Sequence, residues 1–475
     1  MMSENSDRPH PVIPEAKRHL AAVGFNDLTG ASRWLESREL EGVDQRRLLE
    51  GLRLSPSPDV ALKSIVWMLA EDPNIARYVE RGADAEGFYR VLGASEALGE
   101  FLRRHTQHVE IFDENPAPLP EPEESGLAES LRRIFLTSVG ADPDSPWPVA
   151  QVTGEDAKSA VRVTYRDRLT RIALADLTSD DPVSDMPKVG AALADLAGAA
   201  IDGALAVARA ECLSQDPESK NVDISVIGMG KCGARELNYI SDVDVMYAVG
   251  PSEYVAQGES TAPDEETMMR LGTEMVKAMT PVIYGVGPEP GLWEIDANLR
   301  PEGKDGPLVR TVDSHRRYYE RWAENWEFQA LLKARPIAGS PTIGAEYLEA
   351  ISPRIWEASG RENFVDSVQS MRRRVTNNIP QAERERQIKL GPGGLRDVEF
   401  TVQLLQLVHG RTDENVRDRS TTAALASLRE RSYVGREPAA QLDHEYRWLR
   451  TLEHRIQLLH LRRTCLLYTS DAADE

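Results

Sequence analysis

The chain has 475 residues, 41% hydrophobic and 28% charged, long enough for about three soluble domains. A net charge of −21 argues against duplex binding, which draws on a basic face to displace counterions. It weakens a polymerase or RNA-tailing reading and favours a protein or small-molecule substrate. Cys212, Cys232 and Cys465 are too few for a disulfide framework and lack metal-ligand spacing, and the N-terminus lacks the apolar core of a signal peptide, so a reducing cytoplasm is expected.

Residues 1–112 read as helices: Val60, Leu62, Ile65, Val66, Met68 and Leu69 recur at helical spacing, as do Phe88, Tyr89, Val91, Leu92, Leu98, Phe101 and Leu102. A Pro/Glu-rich linker follows at 113–125, then a helical region at 126–215. Its Ala-rich run Ala191–Ala208 is interrupted by Asp195 and Asp202, which suits a soluble helix packed on one side rather than a membrane span. Strand character is confined to Ile224–Ile227, Val243–Val249 and Leu292–Leu299, inside a core assigned to 216–345. From about 314 the pattern is helical again, and 346–464 forms a C-terminal helical domain. Residues 465–475 back-translate to the mosaic-end adapter of transposon-based sequencing libraries. They are read as a translated adapter, with the natural chain continuing beyond this point.

The stretch from Ile224 to Met246 carries the chemistry. It reads as strand, glycine turn, short helix from Lys231 to about Tyr239, then a strand with Asp242 and Asp244. A spacing of two puts both carboxylates on one side of that strand, with Val243 and Val245 facing a core. Gly228-Met-Gly-Lys-Cys-Gly233 matches a dinucleotide-binding fingerprint. Against that reading, the helix is short, the acids follow about ten residues on rather than about twenty, and no second βαβ half follows. A nucleotidyltransferase turn, with backbone N–H groups and Lys231 holding a phosphate, is the alternative. Two fixed carboxylates beside such a turn suit Mg²⁺-dependent phosphoryl or nucleotidyl transfer. An isolated Asp-x-Asp is usually a solvated strand edge; this one lies in an apolar strand close behind the glycines.

On Leu292–Arg300, alternation puts Glu294, Asp296, Asn298 and Arg300 on one face, as either a solvated sheet face or a site wall. Asp296 would complete a triad with Asp242 and Asp244. Trp326–Pro336 reads as an aromatic helix ending in Lys333 and Arg335, mostly core packing with snorkelling bases. Lys389–Phe400 is a Gly/Pro turn entering a helix, on which Arg396, Glu399 and Gln403 share one face. Its glycines either break the chain or let backbone approach a nucleotide.

Four ordered motifs, Gly228–Asp244, Asp296–Val309, Leu331–Gly339 and Lys389–Phe400, together with Leu92–Leu98, carry a family resemblance over nearly all of residues 15–464. The chain resembles the bifunctional glutamine synthetase adenylyltransferase/adenylyl-removing enzymes of actinobacterial type, with Cys232 where many relatives carry Leu. The resemblance implies an α+β, mostly helical fold. Its DNA-polymerase-β-like nucleotidyltransferase core, a small mixed sheet, would be flanked by N-terminal helices and a C-terminal helical bundle.

It implies that the chain is the adenylyl-removing first half of a tandem protein. That half strips AMP from a tyrosine of adenylylated glutamine synthetase by phosphorolysis, with phosphate consumed and ADP released. Asp242 and Asp244 would hold Mg²⁺, and Asp296 would complete the second metal site. Gly228, Gly230, Lys231, Ser241, Arg300, Lys333 and Arg396 would contact nucleotide or phosphate. The implied partners are glutamine synthetase, a PII signalling protein, ATP/ADP and phosphate, with no nucleic acid and no membrane. Two other readings stay open: adenylyl transfer from ATP to the same tyrosine, and a catalytically silent regulatory scaffold, against which the three carboxylates argue.

Overall fold

The computed structural model describes residues 15–122, 126–361, 364–377 and 386–461; the proposed adapter at 465–475 and Cys465 lie outside them. The chain divides into two compact units, Met1–Ala117 with Ala173–Thr178, and Pro118–Ile172 with Ser179–Glu475.

The first unit is helical. Ser57 precedes a Pro58–Glu71 helix with proline in its first turn, where a missing N–H costs nothing. Leu62, Ile65, Val66, Met68 and Leu69 are buried, and Val60 is half-buried. Phe88, Tyr89, Val91, Leu92, Leu98, Phe101 and Leu102 are all buried. Phe88 stacks on Tyr78 and meets Phe112 edge-on, the offset and T-shaped geometries that ring quadrupoles favour.

The second unit is built on a five-stranded mixed sheet. β1 (Val222–Gly228) pairs antiparallel with β2 (Val243–Pro251), and β2 pairs in parallel with β3 (Ile295–Asp296) and β4 (Arg310–Thr311). β5 (Arg335–Gly339) runs antiparallel to β1 on its other side, giving the order β3-β2-β1-β5. Every residue of β1 is buried, as expected of a central strand covered on both faces. One cover is the Glu265–Ile283 helix, where a Cβ on Gly272 would lie 3.0 Å from Val249 and 3.4 Å from Ile224. On the other, Ile227, Met246 and Ala248 pack with Tyr319, Phe328, Ile343 and Tyr347.

Three expectations change here. The strand expected over 292–299 shrinks to Ile295–Asp296. Asp296 Oδ1 accepts from the Asn298 N–H at 2.7 Å and the Arg300 N–H donates to Ala297 O, so an Asx-type turn ends the strand. Glu294, Asn298 and Arg300 therefore form no continuous row with Asp296. The helix expected over Lys231–Tyr239 is one turn, Gly230–Gly233. The helix expected over Trp326–Pro336 stops at Leu331, and Arg335 opens β5, which proline masks because it suits only an edge strand.

The Ala-rich run lies in a Pro182–Gln215 helix in which every residue from Val189 to Arg209 is buried. The helix is long and apolar enough to cross a membrane, but it is enclosed on all sides, not packed on one. A Cβ on Gly198 would sit 2.7 Å from Ile337 O, so small residues let this helix press against β5. Its acids are matched within the protein: Asp195 pairs with Arg235, and Asp202 accepts the Gly339 N–H.

Two buried side chains hold the sheet's approach to the site. The guanidinium of Arg162 donates to the carbonyls of Pro281, Val282 and Glu289. It thereby satisfies orphan carbonyls at a helix C-terminus and anchors the loop leading to β3. His315 Nε2 donates to Tyr247 O at 3.2 Å, tying the Val312–Arg321 helix to β2. Burial pushes the pKa of His315 down to about 4. The folded protein then keeps His315 neutral while the unfolded chain protonates it near pH 6.5. Stability from this site is complete above that pH and is lost as pH falls towards 4, by at most about 3 kcal/mol. Denaturant unfolding between pH 7 and 4 should show a shallower decline for His315→Gln than for the native chain. An unchanged slope would show that His315 is not a neutral buried ring.

Candidate active site

β1 ends at Gly228, and the turn that follows folds back on β2: Met229 N–H donates to Asp244 O at 2.8 Å. Gly230 has φ +51°, and a Cβ there would stand 2.7 Å from Asp244 Oδ2. Only glycine fits both the left-handed backbone and the neighbouring carboxylate. The third glycine of the fingerprint has a packing role, since a Cβ on Gly233 would overlap Lys333 O at 1.9 Å. Gly228 is likewise enclosed, with Ile337 at its α-carbon face.

Asp242 directly precedes β2, and Asp244 lies within it, opposite Asp296 of β3 in the parallel register. Like charges set side by side on neighbouring strands oppose pairing. The Asp244 pKa rises to about 6, from burial first and then from the charges of Asp296 and Asp242. Lys389 and Arg396 pull it the other way. The charges of both other expected carboxylates thus reach Asp244. Val243 and Val245 are fully buried beneath them.

Among the described residues no three His, Cys, Asp or Glu side chains close on a common point as a ready-made metal cage. The donor set still fits Mg²⁺, a hard ion usually held by one or two carboxylates plus substrate phosphate oxygens. A divalent ion would relieve the repulsion recorded at Asp244.

Asp244 forms one wall of a cavity of about 250 Å³, together with Gly230, Lys231 and Ser241. The Asn325–Leu331 helix and the turn after it supply Trp326, Gln329 and Lys333. The opposite wall is Lys389 and the Leu395–His409 helix, which projects Arg396, Glu399, Phe400 and Gln403 inward. The face foreseen for Arg396, Glu399 and Gln403 is therefore a cavity wall. Gly228, Asp242, Asp296 and Arg300 do not line it. Arg300 spends its donors on the carbonyls of Ala297, Lys304 and Gly306, closing its own loop.

The cations differ in how far they are neutralised. Lys231 Nζ is 2.9 Å from Glu453 Oε2, and Lys333 Nζ is 3.0 Å from Glu236 Oε2. Burial first, then Arg450, pushes the Lys231 pKa down to about 8. Burial alone would raise Glu453, but Lys231 and Arg450 hold it far below the usual carboxylate range. No described carboxylate pairs with Lys389 or Arg396, whose guanidinium lies over Phe400. Lys389 carried no assigned role from sequence, although it opens the Gly/Pro motif; only the fold brings it opposite Asp244. Trp326 and Gln329, hydrogen-bonded to Gln403 at 2.8 Å, were hidden in what read as core helix.

The segment from Ala234 to Asp242 has no regular structure and is fixed from outside. Arg450 of the Arg436–His460 helix is fully buried and donates to Asn238 Oδ1 and to the carbonyls of Glu236 and Leu237. Its second partner is Glu453, at 2.9 Å. Cys232 is packed and buried as expected; burial raises its thiol to about 12, an inert group. A larger cavity of about 820 Å³ lies along β5, but its buried charges are matched, Arg209 with Asp223 and Asp202 with Arg132.

Comparison with known proteins places the chain among relatives. The model of the GlnD PII-uridylyltransferase family matches residues 369–474. A bifunctional glutamine synthetase adenylyltransferase/adenylyl-removing enzyme of Leifsonia xyli subsp. xyli is 48% identical over 456 residues, 94% of this chain and 44% of the relative. Its namesake in Bifidobacterium longum (strain DJO10A) is 43% identical over 96% of this chain and 42% of the relative. Another, in Streptomyces coelicolor, is 44% identical over 94% and 42%. The chain thus spans less than half the length of these relatives. The model of the glutamate-ammonia ligase adenylyltransferase family matches residues 85–350, which take in the glycine turn, all three carboxylates and the Lys333 wall, and the chain belongs to that family.

Proposed function

We propose that this chain removes AMP from an adenylylated tyrosine of glutamine synthetase by Mg²⁺-dependent phosphorolysis. The observation that carries the reading is Asp244, under the charges of Asp296 and Asp242, facing Lys389 and Arg396 across one small cavity. A phosphodiester lying between them has carboxylates on its metal side and unneutralised cations on the other. An oxygen of inorganic phosphate attacks the α-phosphorus, the bond to the tyrosyl oxygen breaks with its electron pair, and ADP and tyrosine result. Bound Mg²⁺, held by Asp242 and Asp244 with Asp296, would stabilise charge on the nonbridging oxygens and the departing phenolate.

Lys389 and Arg396 receive the attacking phosphate, which already carries charge and needs little help from a base. Trp326 and Phe400 offer aromatic faces for the adenine, a mode worth about 1–3 kcal/mol per base. Support for removal over attachment comes from the motifs, which resemble the adenylyl-removing half of the bifunctional enzymes. The same resemblance makes a PII protein the expected regulator, and the relatives' names point to glutamine synthetase as the substrate.

Paired assays separate the directions. Adenylylated glutamine synthetase with Mg²⁺ and phosphate should release ADP, whereas unmodified glutamine synthetase with ATP should yield little pyrophosphate; the opposite result assigns attachment. Asp244→Asn should cut ADP release at least about a thousandfold, some 4 kcal/mol of barrier. The same change should leave unfolding stability unchanged or about 1 kcal/mol higher, because a repelled charge is removed. A variant retaining a tenth of the activity would sink the metal assignment. Lys389→Gln and Arg396→Gln should each raise the phosphate KM about tenfold or more, the worth of one charge-assisted hydrogen bond. Lys231→Met combined with Glu453→Gln should raise it less, since each neutralises the other. The reverse order in steady-state kinetics would make Lys231 the phosphate ligand.

A further inference from the structure

Behind the glycine turn lies a second cavity, of about 290 Å³, lined by residues Gly233–Glu236, Arg335 and the Asp418–Ala423 segment. Three guanidinium groups meet there: Arg235, Arg335 and Arg419. Two of them hydrogen-bond to backbone carbonyls. Arg335 Nε and Nη2 donate to the carbonyls of Gly233 and Cys232, and Arg419 Nε donates to Ala334 O. Arg235 pairs with Asp195, yet its Nε is buried with no hydrogen-bond partner.

The acids at hand are already engaged. Glu236 accepts from Lys333, Ser420 and Thr421, and Asp418 Oδ2 accepts from the Ser427 hydroxyl. Burial lowers the pKa of Arg335; Cys232 and Asp195 oppose that shift, and the charges of Arg235 and Arg419 add to it. The ten-residue Thr421–Glu430 helix starts at this cavity, adding the positive end of its dipole. Arg235 also holds a left-handed φ of +57°, uncommon for a residue other than glycine.

We infer that this cavity is a second anion site, built for a phosphate-type oxyanion carried free or as the terminal phosphoryl group of a nucleotide. Planar guanidinium forks match tetrahedral oxyanions through paired N–H donors, and of the three around this small cavity only Arg235 has a carboxylate within ion-pair distance among the described residues. The site is distinct from the catalytic cavity, because the turn stands between them, with Gly233 packed on Lys333 O. It is also linked to that cavity: Glu236 lines the anion site and holds Lys333, which lines the catalytic one. Occupancy would therefore bear on the catalytic wall whichever direction the reaction runs.

The test is calorimetric titration of the full chain with inorganic phosphate, without Mg²⁺ and at constant ionic strength, in a Lys389→Gln/Arg396→Gln background that disables the catalytic cations. Phosphate should bind, and adding Arg419→Gln should weaken it about tenfold or more. Ala423→Asp, which leaves every arginine bond in place and puts a carboxylate at the cavity wall, should weaken it as much. Unfolding midpoints without phosphate establish that each variant is folded. A parallel titration with ADP separates the sources: tighter ADP binding that is lost in Arg419→Gln indicates a nucleotide phosphoryl group, and phosphate binding alone indicates the free ion. Absence of phosphate binding in the background protein, or binding unaltered by both substitutions, would overturn the site.

Discussion

The candidate site depends on a buried ionic network that joins two distant parts of the chain. Arg450 and Glu453, both fully buried on one helix, reach the turn through Lys231, Asn238 and the carbonyls of Glu236 and Leu237. The chain from Ala234 to Asp242 has no helix or strand of its own to hold it. Its backbone acceptors are met instead by a guanidinium whose rigid fork fixes several at once. Buried pairs of this kind add little net stability compared with apolar packing, but breaking one partner leaves an uncompensated charge at a cost of about 3–5 kcal/mol. The network is better understood as specifying a geometry, placing the first residue of the carboxylate group where β2 begins.

That division explains what could be read from the sequence. The strand–turn–strand with Asp242 and Asp244 was legible because its signals are local: apolar alternation, glycines where φ is positive, and acids two apart. The burial of Phe88 through Leu102 was legible for the same reason, since helical periodicity repeats within a few residues. Asp296 was found by its spacing from a supposed strand. It sits where expected although that strand is two residues long, because register with Asp244 needs only one paired position.

What escaped is long-range. β5 is a strand only because β1 pairs with it, and Arg335-Pro336 gives no local hint of that. Lys231 lines the cavity as expected, but its pairing with Glu453, 222 residues away, was invisible from the turn. Lys389 was missed for the complementary reason, since nothing in its neighbourhood shows that Asp244 lies across the cavity. Arg300 misled in a third way: an expected strand would have aimed it beside Asp296, whereas the Asx turn after Asp296 sends its donors to nearby carbonyls.

The glycine turn shows how one motif can serve two constraints that sequence cannot separate. Gly230 is required by the Asp244 carboxylate and by a left-handed backbone, so it belongs to the chemistry. Gly233 is required by the backbone of Lys333, so it belongs to the packing of the turn against the approach to β5. A fingerprint of three glycines therefore reports a close backbone crossing as much as a bound phosphate. The crossing matters functionally because it makes the turn thin. Across this thin turn, Glu236 pairs with Lys333, which lines the candidate cavity on the opposite side. A fold that needed only to hold two aspartates would not need the turn so tightly enclosed, with buried ions on both of its faces; one that must keep those aspartates close together against their mutual repulsion does.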